Sequence, residues 1–151
     1  MIKRTIQDEI ERAIKTKPVT LITGARQVGK STIALQFKER GFSYVSLDNV
    51  HELEIALNDP KLFLSLHPWP LIIDEVQKAP KLFNVIEEIV NNAKIQNNEN
   101  YGMYILVGSQ MYRLMEGVSE SLAGRVAIIH MLGLSYSEIN NRNEPFLALI
   151  Q

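Results

Sequence analysis

The stretch GARQVGKST, residues 24–32, constrains this chain more than any other feature. It follows the apolar run PVTLIT and precedes a helix-like segment. It fits the pattern GxxxxGK followed by Ser or Thr, with Gly24, Gly29, Lys30 and Ser31 in the set places. A strand, a glycine-bearing loop and a helix in that order can turn successive main-chain amides toward one point at a helix N-terminus. Such a point suits a phosphate group. On this reading the cradle runs from Gly24 through Ala25, Arg26, Gln27, Val28 and Gly29 to Thr32. Lys30 reaches the β- and γ-phosphates of a nucleotide, and Ser31 ligates Mg²⁺. The Arg26 side chain, at a variable position of the pattern, is expected to face solvent or a partner. The plain alternative is a strand-to-helix turn that holds nothing.

The rest of the chain supplies a frame for such a loop. Ile2, Ile6, Ile10 and Ile14 recur every four residues among charges, which predicts an amphipathic helix over residues 2–16, ended by Pro18. Short apolar runs follow at 19–23, 44–47, 71–74, 103–107 and 126–132, with the length and branched content of strands buried on both faces. Between them lie helix-like segments from Lys30 to Glu39, one or two short pieces within His51 to Leu66, and one from Lys81 to Ala93. Residues 95–102, IQNNENYG, read as a polar connection, and Trp69, between two prolines, as a packing aromatic. Alternation of this kind predicts an α/β fold with a parallel sheet and helices on both sides.

A second chemical signal is PLIIDEVQ at 70–77, an apolar strand ending in adjacent carboxylates. Two acids at the end of a buried strand are costly unless something positive or hydrogen-bonding meets them. Alone, the pair reads as solvated. About forty residues after a phosphate loop, Asp74 instead suits the Mg²⁺ shell and Glu75 the orientation or deprotonation of an attacking water. A glutamate beside the magnesium aspartate favours hydrolysis over phosphotransfer. GTP is disfavoured, because the chain has no NKxD-like segment and DEVQ is not DxxG. Lys78 could hold a carboxylate, or nothing. His51, His67 and His130 lack metal-ligand spacing and count as structural.

Composition bounds the partners. The chain has 151 residues, 46% hydrophobic and 22% charged, which suits one globular domain. A net charge of −1 supplies no electrostatic pull toward nucleic acid or an acidic membrane. No cysteine is present, so disulfides and thiolate metal sites are excluded. With no apolar run near about 18 residues and no signal-like N-terminus, membrane association is not expected and the expected location is cytoplasmic.

Five stretches together resemble a family of prokaryotic AAA-type ATPases that usually carry a further C-terminal domain: IKRTI, GARQVGKST, DEVQKAP, LVGSQ and SESLAGRVAIIHMLGLSYSEI. The resemblance covers almost the whole chain, and the glycine loop and the acid pair correspond to the two Walker motifs. It implies a P-loop NTPase three-layer α/β/α sandwich. The implied sheet is mainly parallel and five-stranded, in the order 5-1-4-3-2, with the magnesium-acid strand between the first strand and its sequence neighbour. It implies one ATPase domain over residues 1–151, the N-terminal helix packed on it, and truncation before the C-terminal domain. It implies ATP as ligand, ADP as product, Mg²⁺ as cofactor and a possible homo-oligomer. Ser109 in GSQ matches the family's sensor of the γ-phosphate or attacking water, with Gln110 a departure from the usual GSS; the alternative is a helix-capping Ser109. Arg125 in LAGR matches a family arginine that stabilises transition-state charge within the chain or across a subunit interface, or else forms a surface salt bridge. Rival activities are a nucleotide-gated switch or scaffold with negligible hydrolysis, and a DNA-associated ATPase, for which the chain lacks a basic stripe.

Overall fold

A computed structural model describes residues 2–24, 29–96, 100–109, 122 and 124–131. Helix α1 spans Ile2–Thr16 and strand β1 Val19–Gly24. Then come α2 (Lys30–Leu35), β2 (Ser43–Ser46), α3 (Val50–Asn58) and α4 (Pro60–Leu66). Strand β3 is Leu71–Asp74, α5 is Leu82–Gln96, β4 is Tyr104–Gly108 and β5 is Val126–Met131. The strands form one sheet in the order β2-β3-β4-β1-β5, with every adjacent pair parallel. This is the expected order, read from the opposite edge.

The apolar runs lack polar alternation because both faces of the sheet are covered. Val19, Leu21, Leu71, Ile73, Tyr104 and Leu106 pack in one layer with α4 and α5 through Phe63, Leu64, Leu82, Phe83 and Ile86. Ile22, Ile72, Ile105 and Val107 face the other way, against Ile10 and Ala13 of α1 and Ile33 and Ala34 of α2. The four-residue spacing of Ile6, Ile10 and Ile14 in α1 is therefore the imprint of its seat on the sheet. Pro18 ends that helix and still serves the fold, since its carbonyl accepts the amides of Met103 and Tyr104.

Two expected helices differ in detail. The segment expected as one helix from Lys30 to Glu39 is α2 followed by a 3₁₀ turn at Gln36–Arg40, stopped by Gly41 in the left-handed region at φ 96°. Arg40 in that turn pairs with Glu11 of α1, tying the two helices on this face. The region of His51 to Leu66 holds two helices. Asn49 caps α3 by accepting the amides of His51 and Glu52, and Asp59 caps α4 by accepting the amide of Leu62, with Pro60 in its first turn. α5 extends to Gln96, so Ile95 and Gln96 belong to it and not to the polar connection. Trp69 departs from the packing expectation. It is 43% exposed, because the short Pro68 to Pro70 link runs over the surface before β3 begins.

Candidate nucleotide site

Parallel strands bring their C-terminal ends to one edge, where a crevice for ligands forms in open α/β sheets. The register places Thr23 of β1 opposite Gly108 of β4, and Val107 opposite Asp74 of β3. Gly24 is opposite Met131 of β5. A Cβ on Gly24 would collide with the Met131 carbonyl oxygen, so this position must be glycine for the sheet to close.

Helix α2 starts at the same edge. Gly29 stands before it in the left-handed region, φ 89° and ψ 18°, a conformation that costs glycine little. Its carbonyl accepts the amide of Ile33, and the first-turn amides of a helix are the donors that its own ladder leaves for other acceptors. Lys30 is 6% exposed, Ser31 half-buried and Thr32 exposed. α2 packs across β1, β3 and β4. Of the predicted cradle, Ala25, Arg26, Gln27 and Val28 lie outside the described residues.

Side-chain alternation decides which face the acids serve. Ile72 packs in the α1 and α2 layer, so Asp74, two residues on, shares the face on which α2, begun by Lys30, is packed. Asp74 is only 4% exposed. Its Oδ2 accepts the Tyr44 hydroxyl at 2.6 Å and its Oδ1 accepts the Glu75 amide at 2.9 Å. Burial, and then the Asp74 carboxylate that accepts its hydrogen, push the Tyr44 phenol far above its ordinary range, so it remains a donor. Glu75 has φ 57° and ψ 43°, a left-handed conformation that non-glycine residues adopt rarely. Its Oε1 accepts Nε2 of Gln77 at 2.7 Å. Lys78 holds a carboxylate after all, Asp48 in the loop after β2, at 2.6 Å.

Ser109 follows β4 directly at this edge and is half-buried; Gln110 and any helix that Ser109 would cap lie outside the described residues. Arg125 lies elsewhere. Its carbonyl accepts the amide of Val19, the first residue of β1, which places it at the opposite edge of the sheet. The length of β1, roughly 3.3 Å per residue, separates it from Gly24. Its guanidinium lies 3.5 Å from Glu87 of α5. Spacing in sequence carries no distance, and this contact corresponds to the salt-bridging alternative. His67 pairs with Glu52 at 2.8 Å and stacks obliquely on Phe63; His51 and His130 are exposed. Tyr44 and Gln77 are the polar groups at the acids that the sequence reading missed. Gln77, two residues from Glu75 in DEVQ, was the one with a local signal.

The donors present suit Mg²⁺. Ser31 and Asp74 offer hard oxygens, and this ion takes few protein ligands, keeping waters and phosphate oxygens for the rest. Each Asp74 oxygen has one described hydrogen bond and thus a lone pair left. Among the described residues no cluster of three or more His, Cys, Asp or Glu forms a separate all-protein metal cage.

The sequence profile of the family described as "AAA domain" matches residues 16–140. The chain belongs to the AAA-domain family. Uncharacterised proteins of Mycobacterium tuberculosis and Mycobacterium bovis are each 30% identical to this AAA domain over 140 residues, which are 92% of the chain and 30% of theirs. The chain thus spans about 30% of the length of the curated relatives it matches. Among solved structures, a Walker-type ATPase of Pyrococcus abyssi superposes with a TM-score of 0.59 at 15% identity, covering 95% of this AAA domain and 59% of that chain. That likeness shows the P-loop NTPase fold. Family membership makes this a domain of the nucleotide-binding, ATPase class. Among the described residues no helix is long and apolar enough to cross a membrane.

Proposed function

We propose that this AAA domain binds ATP with Mg²⁺ and hydrolyses it, using the edge where β1, β3 and β4 end. The observation that carries the reading is the convergence of Lys30 and Asp74, both buried, at one edge and on one face of the sheet. Opposite charges withdrawn from water at one sheet edge suit a Mg²⁺ nucleotide, with phosphate oxygens for the ammonium and the metal ion for the carboxylate. Gly24, Gly29 and the amides through Thr32 grip the phosphates, with Ala25, Arg26, Gln27 and Val28 completing the loop. Lys30 neutralises the β- and γ-oxygens. Ser31 and Asp74 hold the ion, which when bound offsets charge on the phosphate oxygens.

Glu75 then accepts a proton from water as that water bonds to the γ-phosphorus. The bond from the γ-phosphorus to the bridging oxygen breaks, leaving ADP and inorganic phosphate. Ser109, at the end of β4, contacts the γ-phosphate or the water. Arg125, displaced from this edge, serves catalysis only in a homo-oligomer, at the site of a neighbouring subunit. A cytoplasmic setting suits an ATP-consuming domain, and conformational output to a C-terminal domain suits relatives of which this chain spans 30%.

Glu75→Gln keeps the shape and removes the base. Calorimetry should find ATP affinity unchanged, while phosphate release falls by about 10²–10⁴-fold. Undiminished release would take Glu75 out of the mechanism.

A further inference from the structure

The turn after β3 is anchored at three successive residues. Val76 is fully buried in the core, Gln77 is 5% exposed and bonded to the Glu75 carboxylate, and Lys78 is tied to Asp48. The backbone closes it, with the Lys78 amide on the Glu75 carbonyl and the Ala79 amide on that of Val76. Glu75 itself sits in the left-handed region, which persists in a non-glycine residue only where its surroundings over-determine it.

Gln77 uses its buried amide one-sidedly. Nε2 donates to Glu75 Oε1, but Oε1 of Gln77 has no hydrogen-bond partner among the described residues. A buried acceptor without a donor is destabilising, and an apolar residue of the same length would avoid that cost. The amide earns its place only through its NH₂ group. That group fixes one oxygen, Oε1, of a long, otherwise rotatable carboxylate, and the bond does not engage Oε2.

We propose that Gln77 is a positioning residue, which clamps Oε1 of Glu75 so that Oε2 is the oxygen presented to the attacking water. The inference rests on the reading of Glu75 as the base. It has a distinct consequence: Gln77 acts only through Glu75, and its loss should lower turnover without touching nucleotide affinity or the fold.

The test is a double-mutant cycle in the full natural chain, with Gln77→Met, Glu75→Gln and the double variant. Each is measured for phosphate release at saturating ATP, ATP affinity by calorimetry and melting temperature. Gln77→Met is expected to slow release by about 10–10²-fold, the effect of a misplaced reacting group. Affinity should stay unchanged and the melting temperature should hold or rise. The double variant should be no slower than Glu75→Gln alone. Full turnover in Gln77→Met, weakened ATP binding, or a further loss in the double variant would each overturn the proposal. Should the Met variant not fold, Gln77→Asn, whose shorter amide withdraws the donor, is read by the same outcomes. Normal release by Glu75→Gln defeats the base assignment and this inference together; slow Glu75→Gln beside normal Gln77→Met defeats this inference alone.

Discussion

Where β1, β3 and β4 end, polar side chains are buried and held in unusual poses: Lys30 and Asp74 nearly inaccessible, Glu75 left-handed, Gln77 half-satisfied. Where the same strands begin, a set of main-chain bonds joins them. Lys17, Pro18, Pro70, Met103 and Arg125 give their carbonyls to the amides of Gly102, Met103, Ser43, Leu71 and Val19, which stitches the strand starts together. One end of the sheet thus gathers buried charged side chains and a left-handed glutamate, and the other is joined by a set of main-chain bonds. Strain and buried charge accumulate where a ligand is to be met. The contrast separates residues that look equally polar in sequence, Arg125 from Lys30 above all.

The largest effect expected from breaking this contrast is at Lys30. Lys30→Ala should weaken ATP binding by roughly 10²-fold, in line with charge-assisted hydrogen bonds of about 1.5–3 kcal/mol each. Unchanged affinity by calorimetry would count against the phosphate-loop assignment.

Two tyrosines sharpen the comparison at a smaller scale. Tyr44 donates to Asp74, whereas the Tyr104 hydroxyl, buried where β4 begins, has no partner among the described residues. Tyr44→Phe should cost about 1 kcal/mol in urea denaturation, and Tyr104→Phe should leave stability level or raise it. Burial pushes both phenols far above their ordinary range, with the Asp74 carboxylate adding to the shift at Tyr44. The folded state keeps these protons after the unfolded chain starts to lose its own near pH 10. Their contribution is therefore complete below about pH 10 and declines as pH rises beyond it. The double Phe variant should lose less stability on going alkaline than the unaltered chain, and an equal loss would contradict the assignment.

The smallest effect is expected at Arg125. Arg125→Ala should leave ATP affinity of the single chain within about twofold, because its guanidinium sits with Glu87 at the far edge. A tenfold loss in a monomeric sample would erase the distinction between the edges.

Much of this was legible in the sequence because it is local. Apolar runs without alternation mark strands covered on both faces, and all five appear within a residue or so of their expected positions. The loop, the acid pair and the isoleucine stripe of α1 are likewise patterns over a few residues. What stayed hidden depends on register. Tyr44 meets Asp74 across thirty positions of sequence, and no property of YVSL announces it until β2 lies beside β3. Arg125 stayed open between its alternatives for the same reason, since LAGR is a string that carries no location until β5 lies beside β1. Trp69 was misjudged because a large aromatic usually signals burial, and here the prolines beside it hold it in a surface link.

Gly24 has an experimental consequence. Its hydrogen faces the backbone of β5 so closely that even alanine would wedge the two strands apart. A Gly24 variant that no longer takes up ATP would accordingly report a damaged scaffold as readily as a missing ligand contact. Mutagenesis meant to dissect recognition should begin at Lys30, whose replacement leaves that seam untouched.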